Sequence, residues 1–172
     1  MPLRAGLLAA FVVSMFFIPR GALHAFEIGN EAPAFSLQDL SGRVTALSDL
    51  QGRVVLLHFW SVLCGPCVEE MPLLNKLQEQ YPKDQLQILA VSIDPAQRAR
   101  DFVTDNHLEI TVLIDSDKEV FFDAYAGPAL PASFLIDRNG VIRDRIDGPA
   151  SWNSPAMQSR LQRLLTGKRN RR

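Results

Sequence analysis

Cys64 and Cys67 are the only cysteines in the 172-residue chain, and Gly65 and Pro66 stand between them. The unbroken apolar run Val54 to Phe59 precedes them, and a helical pattern from Val68 to Gln80 follows. A buried strand therefore delivers two thiols to the first turn of a helix. The chemistry this predicts is a reversible dithiol/disulfide couple. A thiolate is the nucleophile in disulfide exchange. Its pKa falls at a helix N-terminus, among unpaired backbone N–H groups and the positive end of the helix dipole. Pro66 suits a first helical turn, because its missing donor costs nothing there and its φ is already helical. Gly65 keeps bulk away from the sulfurs. Cys64 is then the exposed attacking thiol, and Cys67, one turn deeper, resolves the mixed disulfide.

Two other uses of a CxxC pair fit less well. A structural staple stabilises more the longer the loop it closes, and this ring is very small. A zinc site needs four ligands. No second CxxC exists, His58 lies within the apolar strand and His107 stands alone. No metal ligand set is therefore expected.

The elements that must position the dithiol follow from periodicity and turn residues. Ala34 to Leu37 and Val44 to Leu47 flank a turn at Ser41-Gly42 and predict an N-terminal β-hairpin. Val54 to Phe59 and Leu86 to Ile93 read as buried strands. The helix after the cysteines carries Met71, Leu74, Leu77 and Tyr81 on one face, with a kink expected at Pro72. Further helices are predicted from Asp94-Pro95 to Asp105, over Asp117 to Tyr125, and from Ser154 to Leu165. Ile110 to Ile114 and Ala132 to Ile136 are strands, and Asn139-Gly140 turns the latter into Val141 to Ile146. Buried runs alternating with helices predict an α/β fold with a mixed, mainly parallel central sheet and an antiparallel hairpin at its end.

Charge and the N-terminus set the compartment. Residues 26–167 carry twelve Lys/Arg against nineteen Asp/Glu, a net of −7, which gives no sign of nucleic-acid binding. Residues 168–172 form a basic tail. Arg4 precedes fourteen uncharged residues, Ala5 to Ile18, and then Pro19, Arg20 and a small-residue stretch ending at Ala25. This is the order of a secretory signal. Cleavage after Ala25 would leave Leu23 at the −3 position, so a signal peptide and an uncleaved membrane anchor both remain open for residues 1–25. Either one exports the single domain at 26–167, which carries no structural disulfide beyond its CxxC.

Several separated features coincide: Phe59-Trp60 leading into Cys64-Gly65-Pro66-Cys67, Glu70-Met71-Pro72 after it, Ser92-Ile93-Asp94, and Leu130-Pro131 before Phe134-Leu135-Ile136-Asp137. In this order the chain resembles the thioredoxin superfamily, and more narrowly its exported TlpA/ResA-like thiol–disulfide oxidoreductases, over roughly residues 29–165. The resemblance implies a thioredoxin fold with an N-terminal hairpin extension and no cofactor beyond the Cys64–Cys67 disulfide. Cys64 matches the nucleophile and Cys67 the resolving cysteine. Pro131 matches a proline held in cis beside the dithiol. Leu130 would offer its backbone to an extended substrate. Glu70 matches an acidic residue near enough to influence the cysteine titration, or is an ordinary first-turn glutamate. Trp60, Gly65 and Pro66 join these as residues that bind substrate or modulate the dithiol. The partners implied are exported proteins with disulfides and a membrane thiol electron donor, in a periplasmic or other extracytoplasmic compartment, with cytochrome c maturation among the roles.

Three positions depart from the pattern. Leu63 replaces a frequent aromatic, Ala132 a frequent hydroxyl residue, and His58 a buried Asp or Asn. His58 is either a neutral core histidine with one hydrogen bond or a base of near-neutral pKa for Cys67. Two rival functions use the same cysteines. A thiol peroxidase of related fold wants Pro and Thr where Leu57 and Ser61 stand. A Cu(I) chaperone spaces its cysteines one residue wider and adds a distal histidine.

Overall fold

The computed structural model describes residues 28–167; the expected export segment 1–25 and basic tail 168–172 lie outside the described residues. The hairpin β1 (Ser36–Asp39) and β2 (Val44–Ala46) leads through a 3-10 turn, Leu47–Leu50, into β3 (Val54–Trp60). Then follow α1 (Gly65–Glu79), β4 (Leu86–Ser92), α2 (Ala96–Asp105) and β5 (Thr111–Ile114). A π-helical turn, Val120–Ala124, precedes β6 (Ala132–Ile136), β7 (Ile142–Asp147) and α3 (Pro155–Leu165).

One seven-stranded sheet orders them β2-β1-β5-β4-β3-β6-β7. All seven residues of β3 are buried, because the strand has layers on both faces. Val54, Leu56 and Trp60 face Met71, Leu74 and Leu77 of α1 and Leu161 of α3. Val55, Leu57 and Phe59 face Phe35, Phe121, Tyr125 and Phe134. Apolar side chains at every position but His58 are what two-sided burial favours.

The mixed sheet is as expected, but its parallel part is smaller. Only β3·β4 and β4·β5 pair in parallel, two of the six adjacencies; β1·β2, β1·β5, β3·β6 and β6·β7 are antiparallel. Five strands nevertheless run one way, with β1 and β6 reversed. Burial on both faces, which β6 shares with β3, carries no information about strand direction. The direction is set by the end of the sheet at which the connection from β5 returns.

There are two local differences. β1 begins at Ser36 rather than Ala34, although Phe35, buried in the core, still accepts from Leu47 N–H at 3.1 Å. The segment expected as a helix from Asp117 narrows to the π-helical turn, whose Val120 and Phe121 N–H groups donate to the Asp115 carboxylate at 3.2 and 2.8 Å. The helix of α1 continues through Pro72 without a break.

Candidate active site

β3 ends at Trp60, and three residues of loop carry the chain to Cys64, the N-cap of α1. Cys64 and Cys67 are joined as a disulfide, with Cα atoms 5.2 Å apart. The Cys64 sulfur accepts from the Cys67 N–H at 3.3 Å, and Val68 N–H donates to the Cys64 carbonyl at 3.0 Å. The sulfur therefore occupies the place of a capping side-chain oxygen, where helix donors favour negative charge. The two cysteines differ in access. Cys64 is half-buried, beside exposed Leu63, Gly65 and Pro66, whereas Cys67 is 0% exposed in the core below.

The Leu130–Pro131 peptide is cis. Antiparallel pairing of Phe59 with Ala132 sets Pro131 level with Trp60, alongside the cysteine loop. Leu130 is half-buried and packs on both cores, while Pro131 is buried and its carbonyl accepts from Gly148 N–H at 2.8 Å. Trp60 is 0% exposed, with its ring 5.2 Å from that of Phe102. It has no surface to offer a substrate and supports the loop from within.

Glu70, three residues along α1 from Cys67, belongs to a buried polar cluster with His58 and Ser133. His58, 0% exposed, shares a 2.9 Å hydrogen bond between its Nδ1 and Ser133 Oγ, and its ring meets Trp152 edge-on at 6.2 Å. Its Nε2 faces Glu70 Oε2 across 3.9 Å, and neither atom has a hydrogen-bond partner. Burial lowers the His58 pKa to about 3, because taking the ring out of water disfavours the imidazolium. These surroundings favour the neutral ring with its one hydrogen bond to Ser133. Glu70, 4% exposed, accepts a hydrogen bond from Ala150 N–H. Burial raises its pKa, and the Ala150 bond and the nearby Trp152 indole offset part of that rise.

Reading the sequence missed Ser61, Ser133, Ala150 and Trp152 as participants, and it quoted Asp94 without a role. Asp94, just past β4, binds Ser61 Oγ at 3.0 Å and Val62 N–H at 2.7 Å in the cysteine loop. Two polar residues, Ser92 and Asp94, closing a largely apolar run were the available signal. Ser133 and Trp152 gave none, since their partners stand far away in sequence.

A family model, the AhpC/TSA family, matches residues 28–145. The thiol–disulfide oxidoreductase ResA of Bacillus cereus is 39% identical over 123 residues, covering 71% of this chain and 70% of the relative. ResA of Geobacillus thermodenitrificans is 39% identical over 125 residues, covering 72% and 71%. Among solved structures, a protein of Chlorobium tepidum described as a thiol:disulfide interchange protein DsbE superposes with a TM-score of 0.75. It is 33% identical, over 82% of this chain and 99% of that one. Extent of match and shared architecture place the chain in the AhpC/TSA family, as a thioredoxin-like thiol–disulfide oxidoreductase of the ResA type.

Proposed function

We propose that this enzyme works outside the cytoplasm and reduces disulfides of exported polypeptides. The observation that carries the reading is the unequal access of the two sulfurs, with Cys64 at the surface and Cys67 enclosed beneath it. The Cys64 thiolate attacks one sulfur of the substrate disulfide, that S–S bond breaks, and one substrate thiolate leaves. Cys67 then loses its proton and attacks the Cys64 sulfur. The second substrate thiolate leaves, and the Cys64–Cys67 disulfide remains. Two electrons have passed to the substrate, and a membrane thiol donor returns them. Glu70, whose pKa burial raises, is the buried acid–base group three residues along α1 from Cys67 and takes its proton. Leu130, presented by the cis bond to Pro131, offers the substrate its backbone contact beside Cys64. Maturation of exported cytochrome c is one role that fits such a reductant.

Peroxide reduction is the competing use of this family's cysteines. Leu57 is buried in the core, and the Ser61 hydroxyl is already committed to Asp94 and the Leu63 N–H. That loop holds no free hydroxyl aimed at a peroxide, which favours disulfide exchange.

The test is capture. Cys67→Ser should hold exported polypeptides as mixed disulfides on Cys64, released by dithiothreitol, while Cys64→Ser captures none. Failure to capture polypeptides, together with rapid peroxide consumption by the unmodified enzyme, would overturn the reading.

A further inference from the structure

The three residues between Trp60 and Cys64 have no strand or helix to receive their donors, and one buried carboxylate takes that place. Asp94, 4% exposed, accepts from Val62 N–H at 2.7 Å and from the Ser92 hydroxyl at 3.3 Å through Oδ2. Its Oδ1 accepts from the Ser61 hydroxyl at 3.0 Å and lies 3.6 Å from the Arg98 guanidinium. Ser61, so held, accepts from Leu63 N–H through its hydroxyl and from Cys64 N–H through its carbonyl, both at 3.1 Å. The N–H groups of residues 62, 63 and 64 thus trace to Asp94 directly or through Ser61. Every group facing the carboxylate is a donor, so a carboxylate satisfies them where an amide would set its NH2 against one of them.

We propose that Asp94 is a positioning residue for disulfide exchange, fixing Ser61–Leu63 so that Cys64 stays at the α1 N-cap once its bond to Cys67 is broken. The proposal rests on the reading of Cys64 as the nucleophile. In the disulfide form the Cys64 sulfur is tied to Cys67 by a covalent bond. In the dithiol form that tie is gone, and Cys64 is held between the loop and the Val68 N–H bond to its carbonyl in the first turn of α1. The advantage a thiolate gains from a helix N-terminus fades within one turn. A sulfur that drifts therefore ionises less readily. The Asp94 charge on its own acts in the opposite sense, because a nearby carboxylate disfavours a thiolate. The direction of the shift on removing Asp94 therefore separates anchoring from charge.

The experiment follows Cys64 alkylation by iodoacetamide against pH in the reduced full-length protein and in Asp94→Ala, Asp94→Asn and Ser61→Ala. The proposal expects the Cys64 pKa to rise by about one unit in Asp94→Ala, with alkylation about fivefold slower at the pH that half-ionises Cys64 in the unmodified protein. Ser61→Ala, which removes only the hydroxyl link, moves in the same direction by less, and Asp94→Asn lies between. A Cys64 pKa unchanged or lowered in the variants, against a low value in the unmodified protein, overturns it. If Asp94→Ala does not fold, Ser61→Ala and Asp94→Asn decide the matter by the same direction of shift. An unmodified protein whose Cys64 ionises like a free thiol would instead overturn the nucleophile reading beneath the proposal.

Discussion

His58 shows how a residue's type and its surroundings can point in different directions. A histidine near a thiol invites a base, yet this one is enclosed on every side and stays neutral, with its pKa lowered to about 3. In the unfolded chain the same ring takes up its proton near pH 6.5. Between those two values the unfolded state binds more protons than the folded one, so stability falls as the pH is lowered through that window. From pH 7 to 5 the loss through this group is about 2 kcal/mol. Glu70 acts the other way, since its raised pKa lets the folded state take a proton first. His58→Asn leaves Glu70 beside a neutral neighbour and isolates the histidine's part. Urea unfolding of both proteins at pH 7 and pH 5 should show the unmodified protein losing about 2 kcal/mol more on acidification. Equal losses would contradict the neutral, desolvated state. The apolar run around His58 made its burial legible. Its partner Ser133, 75 residues away, was not, because nothing local encodes which strand lies alongside.

At the scale of elements, the connection from β5 to β6 decides where Pro131 arrives. Gly127 in that connection read simply as a break in the chain beside Pro128. Its physical reason is the Phe121 ring: a Cβ at position 127 would lie 2.0 Å from Phe121 Cε2. That ring is 2% exposed and packs 5.2 Å from Phe59, so it has little room to yield. Gly127→Ala should cost about 1–3 kcal/mol, measured by urea unfolding, and should lower disulfide reductase activity as the loop carrying Pro131 shifts. A variant as stable as the unmodified protein would show that the ring moves freely. β3 was legible because seven buried positions in a row admit few readings. So was the Asn139-Gly140 turn, where Gly140 adopts φ +78°. The reversal of β6 was not legible, since chain direction belongs to the connection and not to the strand's own residues.

For the whole molecule, the question is which way electrons flow. The Gly-Pro pair between the cysteines resembles the reducing end of the superfamily, where potentials approach ~−270 mV, against ~−120 mV for strong oxidants. Equilibration with glutathione or dithiothreitol couples should place this protein nearer the first figure, and a potential above about −150 mV would reverse the direction we propose. The family was legible because its marks lie in separate parts of the chain, at residues 59–72, 92–94 and 130–137, in a fixed order. The order of the strands in the sheet was not, since it emerges only when all seven pack. Both directions of electron flow depend on one asymmetry, an accessible, readily ionised sulfur at Cys64 above an enclosed one at Cys67. Its most direct measurement is the alkylation rate of each cysteine against pH in the reduced full-length protein. We predict that Cys64 reacts first and ionises with a pKa between about 3.5 and 7.5 while Cys67 stays protected. A Cys64 that ionises near ~8.5, as a free thiol does, or a Cys67 that reacts first, would contradict the account.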